Sequence, residues 1–380
     1  MKRPSPWMNA ELEVFRDNVR RFFVNEVVPH QERWYKQHRV DRELWHKAGR
    51  LGLLALDMPE EYGGSAGNFA HLAVFFEEQA AVGDWGFGVQ VHHIVSHYIL
   101  NHGTEEQKRN YLPRMASGEL IGAIAMTEPG AGSDLQGIRT RAVRDGEHYV
   151  LNGAKTFISN GSMADLVVVV TRTDPNAGSK GMSLIIVETA EVQGYSVGRV
   201  LEKLGQHNAD TAELAFQDVR VPLANLLGGV EGLAMRQLMS DLPYERVGVA
   251  VGSAASIERA VRLTVDYVRE RKAFGRPLLD QQNTRFKLAE ADTLATLARV
   301  FVDDCIQRMI DGDMDTVTAS KAKLWMTETQ GKVMDDCLQL FGGYGYMLEY
   351  PIARMYADAR VQRIYAGTSE IMKEIIARSL

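Results

Sequence analysis

The hydrophobic period of the chain changes twice. From Glu11 onward, Leu12, Phe15, Val19, Phe22, Phe23 and Val27 recur at three- to four-residue spacing, which marks one buried helix face, and Pro29 is expected to end that helix. The same period returns over Asp41–Leu53, Ala70–Val82 and Val91–Asn101, and Thr104-Glu105-Glu106-Gln107 reads as a capping box that opens another helix. Between about Ile121 and Leu227 the pattern becomes strand-like. Gly146–Gly153, Leu166–Thr171, Ser183–Glu188 and Thr211–Phe216 are short β-rich runs separated by Gly, Pro, Asn and Asp. From Gly229 long amphipathic helices take over: Leu233–Arg271, with a break expected at Pro243, then Gln281–Asp311, Val317–Phe341 and Thr368–Leu380. The expected fold is α+β and multidomain. An N-terminal α-helical domain spans 1–119, a middle antiparallel β-barrel or sandwich spans 120–228, and a C-terminal α-helical bundle spans 229–380.

Composition narrows the class. With 380 residues, 45% of them hydrophobic, the chain can fill more than one core, and its formal charge of −6 is spread too evenly to suggest a nucleic-acid partner. The longest apolar runs, such as Leu166 to Val170, are only strand-sized, so no membrane span and no stable membrane association are expected. Cys305 and Cys337 lie in helical segments without C-x-x-C spacing, which argues against a disulfide framework and fits a reducing compartment. The early acids Glu11, Glu13 and Asp17 are unlike a transit segment and no apolar leader core precedes them, so a cytoplasmic location is expected.

Several segments carry candidate chemistry. In Ala125-Met126-Thr127-Glu128-Pro129-Gly130-Ala131-Gly132-Ser133-Asp134, two glycines and a serine free backbone N–H groups and a hydroxyl to approach an anionic or carbonyl ligand closely. An ordinary barrel turn would read the same way, and the spacing is not a dinucleotide-binding fingerprint, because Leu135 stands where its third glycine belongs. Arg271 could grip a phosphate through its planar fork or simply be a solvated helix residue. Gly342-Gly343 could admit close backbone approach or form a helix C-cap.

Taken together these segments resemble the acyl-CoA dehydrogenases, flavoenzymes that introduce an α,β-double bond into an acyl thioester. The loop T-E-P-G-A-G-S-D at 127–134, Lys155-Thr156-Phe157-Ile158-Ser159-Asn160, Arg271-Lys272-Ala273-Phe274-Gly275 with Gln282, Gln339-Leu340-Phe341-Gly342-Gly343 and Arg363–Glu370 occur in the family's order, so the resemblance covers nearly the whole chain. It implies FAD as cofactor, contacted by Met126, Thr127, Gly132, Ser133, Phe157, Ile158, Ser159, Arg271, Phe274, Gln282, Gln339, Gly342, Gly343, Thr368 and Glu370. It further implies an acyl-CoA substrate touched by Ser133, Arg246, Tyr365 and Gly367, a homotetramer built as a dimer of dimers, and an electron-transferring flavoprotein as acceptor.

The family's usual catalytic glutamate, immediately before Gly-Thr, is replaced here by Ala366. The resemblance supplies another position. Glu245 in Leu242-Pro243-Tyr244-Glu245-Arg246 stands where the isovaleryl and long-chain branches carry their base, with Arg246 preceding Arg271 by 25 positions. A carboxylate must take the α-proton, and burial would raise its pKa toward neutrality. The thioester oxygen needs donors where negative charge develops, and a backbone N–H at Ala366 survives loss of the glutamate side chain. Glu128 and Glu370 are weaker rivals. Wording such as Tyr350-Pro351-Ile352-Ala353-Arg354 and Ile371–Arg378 leans toward the long-chain branch. An oxidase or flavin monooxygenase of the same fold is the alternative chemistry, and a non-catalytic acyl-CoA or flavin-binding protein is the alternative class.

His92, His93, His97 and His102 fall close together, and imidazoles one helical turn apart can bind zinc. No H-E-x-x-H is formed and no carboxylate is an evident third ligand, so no metal is expected. By resemblance to long-chain members, this stretch is expected to line the acyl pocket or its rim.

Overall fold

A computed structural model describes residues 5–380. Its N-terminal part is helical: α1 (Ala10–Phe22), α2 (Gln31–Gln37), α3 (Arg42–Arg50), α4 (Phe69–Val82), α5 (Val89–His102) and α6 (Glu105–Ala116). Pro29 does not release the chain from its helical path. A wide turn at Phe23–Val27 and a 3-10 turn at Val28–His30 follow α1, and α2 resumes directly, because proline in the first turn of a new segment owes no N–H to the helix. The capping box before α6 is present: the Thr104 hydroxyl accepts from the Gln107 N–H, and the Gln107 side chain accepts from the Thr104 N–H.

The middle part is one curled sheet of β1 (Gly122–Ala125), β2 (Arg141–Asp145), β3 (His148–Ser159), β4 (Leu166–Arg172), β5 (Met182–Glu188), β6 (Tyr195–Val200) and β7 (Thr211–Pro222), in the order β1-β4-β2-β3-β7-β6 with β5 beside β4. Most pairings are antiparallel; β1 runs parallel to β4, and β2 meets β4 in parallel at Arg141 and Arg172. The continuous apolar run of β4 is explained by burial on both faces. Leu166, Val168 and Val170 join a core with α5 and α6, while Val167 and Val169 point into the core inside the sheet.

The C-terminal part holds α7 (Ala234–Glu270), a short hairpin of β8 (Lys272–Ala273) and β9 (Arg276–Pro277), α8 (Gln282–Asp311), α9 (Thr316–Leu340), α10 (Pro351–Ala359) and α11 (Ser369–Ala377). Helix α7 runs unbroken for 37 residues through Pro243. The bond that proline forfeits would have ended on the carbonyl of Met239, a residue 45% exposed, where water can serve it instead. One large core joins α1, α3 and α4 to α7, α8 and α9, so the two helical parts share their interior.

The loop after β1 is anchored by a buried ion pair. Lys155, 1% exposed, donates to Glu128 Oε1 at 2.9 Å and to the Met126 carbonyl at 3.0 Å. Glu128 also accepts from the N–H groups of Arg139 and Thr140 at 2.7 and 2.9 Å. Glu128→Ala leaves the lysine buried and unpaired, so we expect a loss of roughly 3 kcal/mol, read as a lower urea midpoint for the middle part of the chain.

Candidate active site

Two sets of sequence-predicted residues are placed by the fold, one at the end of the sheet and one at the middle of α7. In the first, Lys155 and the Thr156 N–H, which donates to the Thr127 carbonyl at 2.9 Å, hold the Met126–Ser133 loop against β3. The pairing of β3 with β7 slips between Lys155 and Ile158, and this bulge turns Phe157 outward, 68% exposed and with φ +60, while Ile158 stays buried. An aromatic residue in the left-handed region is strained by roughly 1–3 kcal/mol and gains nothing from its own core in return. Phe157 therefore reads as a surface shaped for a ligand.

The second set surrounds Glu245. This carboxyl is 6% exposed and accepts from the Tyr98 hydroxyl at 2.8 Å on Oε1, and Oε2 has no hydrogen-bond partner among the described residues. Burial pushes its pKa up to about 7; the Tyr98 hydrogen bond and Arg246 pull downward, and Asp241 adds to the rise. The rivals differ. Glu128 is held below its ordinary range by hydrogen bonds from Thr140, Arg139 and Lys155 that outweigh its desolvation. Glu370 is exposed in the first turn of α11 and is likewise lowered, by local backbone and Thr368 hydrogen bonds.

Ala366 lies next to this carboxyl's helix. Arg246, buried, donates from Nε to the Ala366 carbonyl at 3.3 Å and from Nη1 to Ser320 at 3.1 Å. Lys323, fully buried on α9, donates to the Gly367 carbonyl at 2.7 Å. Ala366 is left-handed at φ +52 and Gly367 follows at φ +92; among the described residues no group accepts from the Ala366 N–H. Arg246, expected at the substrate, thus holds the loop through Nε and Ser320 through Nη1, and its Nη2 makes no hydrogen bond among the described residues. Thr368 caps α11 through Ile371, and Tyr365 is partly buried beside this turn, its phenol raised by burial.

A third group lies elsewhere. Arg271, Gln339, Gly342 and Gly343 line a cavity of about 650 Å³ with Tyr267, Phe341 and Tyr344, and the Arg271 guanidinium sits 5.4 Å from the Tyr344 ring centre. Phe274, 96% exposed, and the exposed Gln282 lie outside it, and no hydrogen bond or ion pair among the described residues links this group to the Met126–Ser133 loop. The glycines test whether a flat, phosphate-bearing cofactor fits. At Gly132 and Gly343 neither left-handed φ nor a neighbour demands glycine, since a Cβ would meet nothing within 4 Å. Open backbone at both ends, an outward aromatic and a free guanidinium fork are the donors and surfaces that FAD requires.

Three of the four histidines are engaged, whereas both ring nitrogens of the buried His93 have no hydrogen-bond partner among the described residues. His92 accepts from the Gly122 N–H at 3.1 Å and bonds the Met115 carbonyl at 3.2 Å, and His97 meets Asp57 at 3.0 Å. No group of metal-ligating side chains occurs among the described residues. The sequence reading passed over Tyr98, Asp241, Ser320 and Lys323. Their signal was available, because Tyr98 and Lys323 fall on the buried stripes of α5 and α9, where a polar tip needs a partner.

Known proteins match nearly the whole chain. Family models match along the chain: acyl-CoA dehydrogenase, N-terminal domain at 9–119; acyl-CoA dehydrogenase, middle domain at 123–219; and acyl-CoA dehydrogenase, C-terminal domain at 231–380. The chain is 48% identical over 375 residues to the mitochondrial long-chain specific acyl-CoA dehydrogenase of Sus scrofa, covering 98% of this chain and 87% of the relative. It superposes on an acyl-CoA dehydrogenase from Geobacillus kaustophilus with a TM-score of 0.96 at 46% identity, covering 99% of each chain. A glutaryl-CoA dehydrogenase from Mycobacterium smegmatis in complex with FADH2 matches with a TM-score of 0.90 at 29% identity, covering 98% of this chain and 95% of that one.

Burial of Glu245 has a cost that depends on pH. Its folded pKa of about 7 exceeds the ordinary 4.5, so the folded chain binds this proton more tightly than the unfolded one. Its contribution to stability is full below pH 4.5 and is lost as pH rises through 7. Glu245→Gln escapes that loss. We expect the variant to gain on wild type in stability as pH is raised from 5 to 8, by at most on the order of 3 kcal/mol, read from melting temperatures across that range.

Proposed function

The chain belongs to the acyl-CoA dehydrogenase family, and on that premise we propose that Glu245 abstracts the α-proton of the acyl thioester while the Ala366 N–H holds its carbonyl oxygen. The protein is an FAD-dependent oxidoreductase that dehydrogenates acyl-CoA. When bound, FAD supplies the acceptor for the β-hydrogen as hydride. Met126, Thr127, Gly132, Ser133, Phe157, Ile158 and Ser159 would hold it at the sheet, with Thr368 and Glu370 at the start of α11. Arg271, Phe274, Gln282, Gln339, Gly342 and Gly343 would hold its phosphate-bearing end.

One observation carries the assignment of the base: Glu245 is a buried carboxylate with one oxygen anchored and the other unpartnered, poised near neutrality beside the loop that carries Ala366. A carboxyl of that pKa is partly ionised near pH 7 and, when ionised, is strong enough to take a proton acidified by a thioester. The proton passes to Glu245 Oε2. The charge that develops on the thioester oxygen faces the Ala366 N–H, which has no protein acceptor to give up.

The finer reading is a long-chain-type enzyme, supported by the 48% identity to a long-chain specific relative and by the base on α7. Electrons would leave through an electron-transferring flavoprotein. A homotetramer, arranged as a dimer of dimers, would cover the exposed Phe274, Phe286, Leu297, Val300 and Tyr346 and close the Arg271–Gly343 cavity with a neighbouring subunit. Both cysteines are free and buried, and no helix among the described residues is long and apolar enough to cross a membrane, which suits the proposed cytoplasmic location.

Glu245→Gln is expected to retain FAD but to bleach it with acyl-CoA about 10³-fold more slowly. In the wild type, kcat/KM should rise with pH through about 7 and level off above, since only the ionised carboxylate acts. Unchanged turnover in the variant would remove Glu245 from the reaction. Arg271→Ala is expected to weaken FAD retention at least tenfold with no shift of that pH limb, as measured by flavin content after gel filtration.

A further inference from the structure

Tyr98 is a large side chain with a single polar atom, placed on the buried stripe of α5 with Ile94, Val95 and Ile99. It is 0% exposed. A phenol in that position needs a partner for its hydroxyl, and the partner it has is Glu245 Oε1 at 2.8 Å. One turn along both helices a second rung follows: Asn101 Nδ2 donates to Asp241 Oδ1 at 3.0 Å, and His102 Nε2 lies 3.3 Å from Asp241 Oδ2. Helices α5 and α7 are therefore pinned to each other at the level of the base. Burial and the Glu245 carboxylate, with a smaller push from Asp241, hold the Tyr98 proton far more tightly than usual, so the hydroxyl remains a donor at every working pH.

The groups that act on Glu245 come from three sides. Tyr98 faces it from α5. Asp241 lies one turn earlier on α7 and Arg246 is its neighbour in sequence, and Arg246 is itself flanked by Lys323 of α9. Of the two that favour the ionised carboxylate, Arg246 directs its hydrogen bonds to Ala366 and Ser320, whereas Tyr98 bonds the carboxylate itself.

We propose that Tyr98 is a positioning residue for proton abstraction: by holding Oε1 it fixes the Glu245 side chain so that Oε2 is presented to the substrate. The inference rests on Glu245 being the base. A glutamate has three side-chain torsions, and a base that samples several of them spends only part of its time within reach of the α-carbon. The anchored oxygen also keeps its charge in a dry site, which sets the pH at which the base starts to work.

The test is Tyr98→Phe, which keeps the ring and removes one oxygen. We expect unchanged FAD content and KM, a kcat about tenfold lower, and a rising limb of kcat/KM displaced to higher pH, because a donor to the charged form has gone. Replacing Tyr98 by 3-fluorotyrosine, a stronger donor in nearly the same volume, should displace the limb to lower pH. It serves as the decisive measurement if the phenylalanine variant folds poorly. If Glu245→Gln is inactive while both Tyr98 replacements leave kcat and the pH limb where they were, Tyr98 is only filling space and the proposal fails. If Glu245→Gln turns over normally, the assignment of the base has failed and the positioning role falls with it.

Discussion

Two buried cations hold the turn on which the site depends. Arg246 and Lys323 donate to the carbonyls of Ala366 and Gly367, consecutive residues that both stand in the left-handed region. That conformation is strained for alanine, and nothing in the residue's own side chain repays the strain. The repayment comes from outside the turn, through charge-assisted bonds made in a site largely closed to water. Lys323 bears a visible cost, since burial, with Arg246 nearby, lowers its pKa to about 8. With both carbonyls committed to the protein, the Ala366 and Gly367 N–H groups of the turn are left without an acceptor among the described residues.

Helix α7 supplies the other half of the arrangement. Successive residues on a helix point about 100° apart, so Glu245 faces α5 while Arg246 faces the turn and α9, although the two are adjacent in the chain. The helix reaches these positions unbroken through Pro243, and its ends are far from the chemistry. Environment then assigns the roles of the carboxylates. Glu128 and Glu245 are both buried, but Glu128 has a lysine and two N–H donors and stays ionised, whereas Glu245 has one phenol and is held near neutrality.

Much of this was legible in the sequence. The changes of period located the helical, sheet and helical parts because an amphipathic helix and a half-buried strand must repeat differently. The replacement at 366 directed attention to Glu245, and burial supplied the reason it can act. What escaped was nonlocal. No local pattern shows that Lys155 would reach Glu128, that a bulge would turn Phe157 outward, or that β1 would pair in parallel with β4, since each depends on segments distant in the chain. Pro29 and Pro243 misled for a related reason: proline forfeits one hydrogen bond, and whether that ends a helix depends on where the orphaned carbonyl lies. Tyr98 was hidden because a tyrosine on an apolar stripe looks like core until its hydroxyl is seen to have a carboxylate for a partner.

With Glu245 as the proposed base and the Ala366 N–H as the proposed oxyanion donor, separating the two changes what each must withstand. With a glutamate at position 366, one left-handed residue would provide both the proton acceptor and the N–H, and any movement of the turn would disturb both at once. Here the carboxylate is carried by a helix whose backbone bonds are satisfied internally and by a phenol from α5, while the N–H is carried by a turn tied to α7 and α9. The two devices meet at Arg246, which bonds the turn directly and acts on Glu245 by charge. On that proposal alanine suits the division, because its side chain is too small to fill the space the acyl thioester would need, so position 366 would serve wholly as a backbone donor.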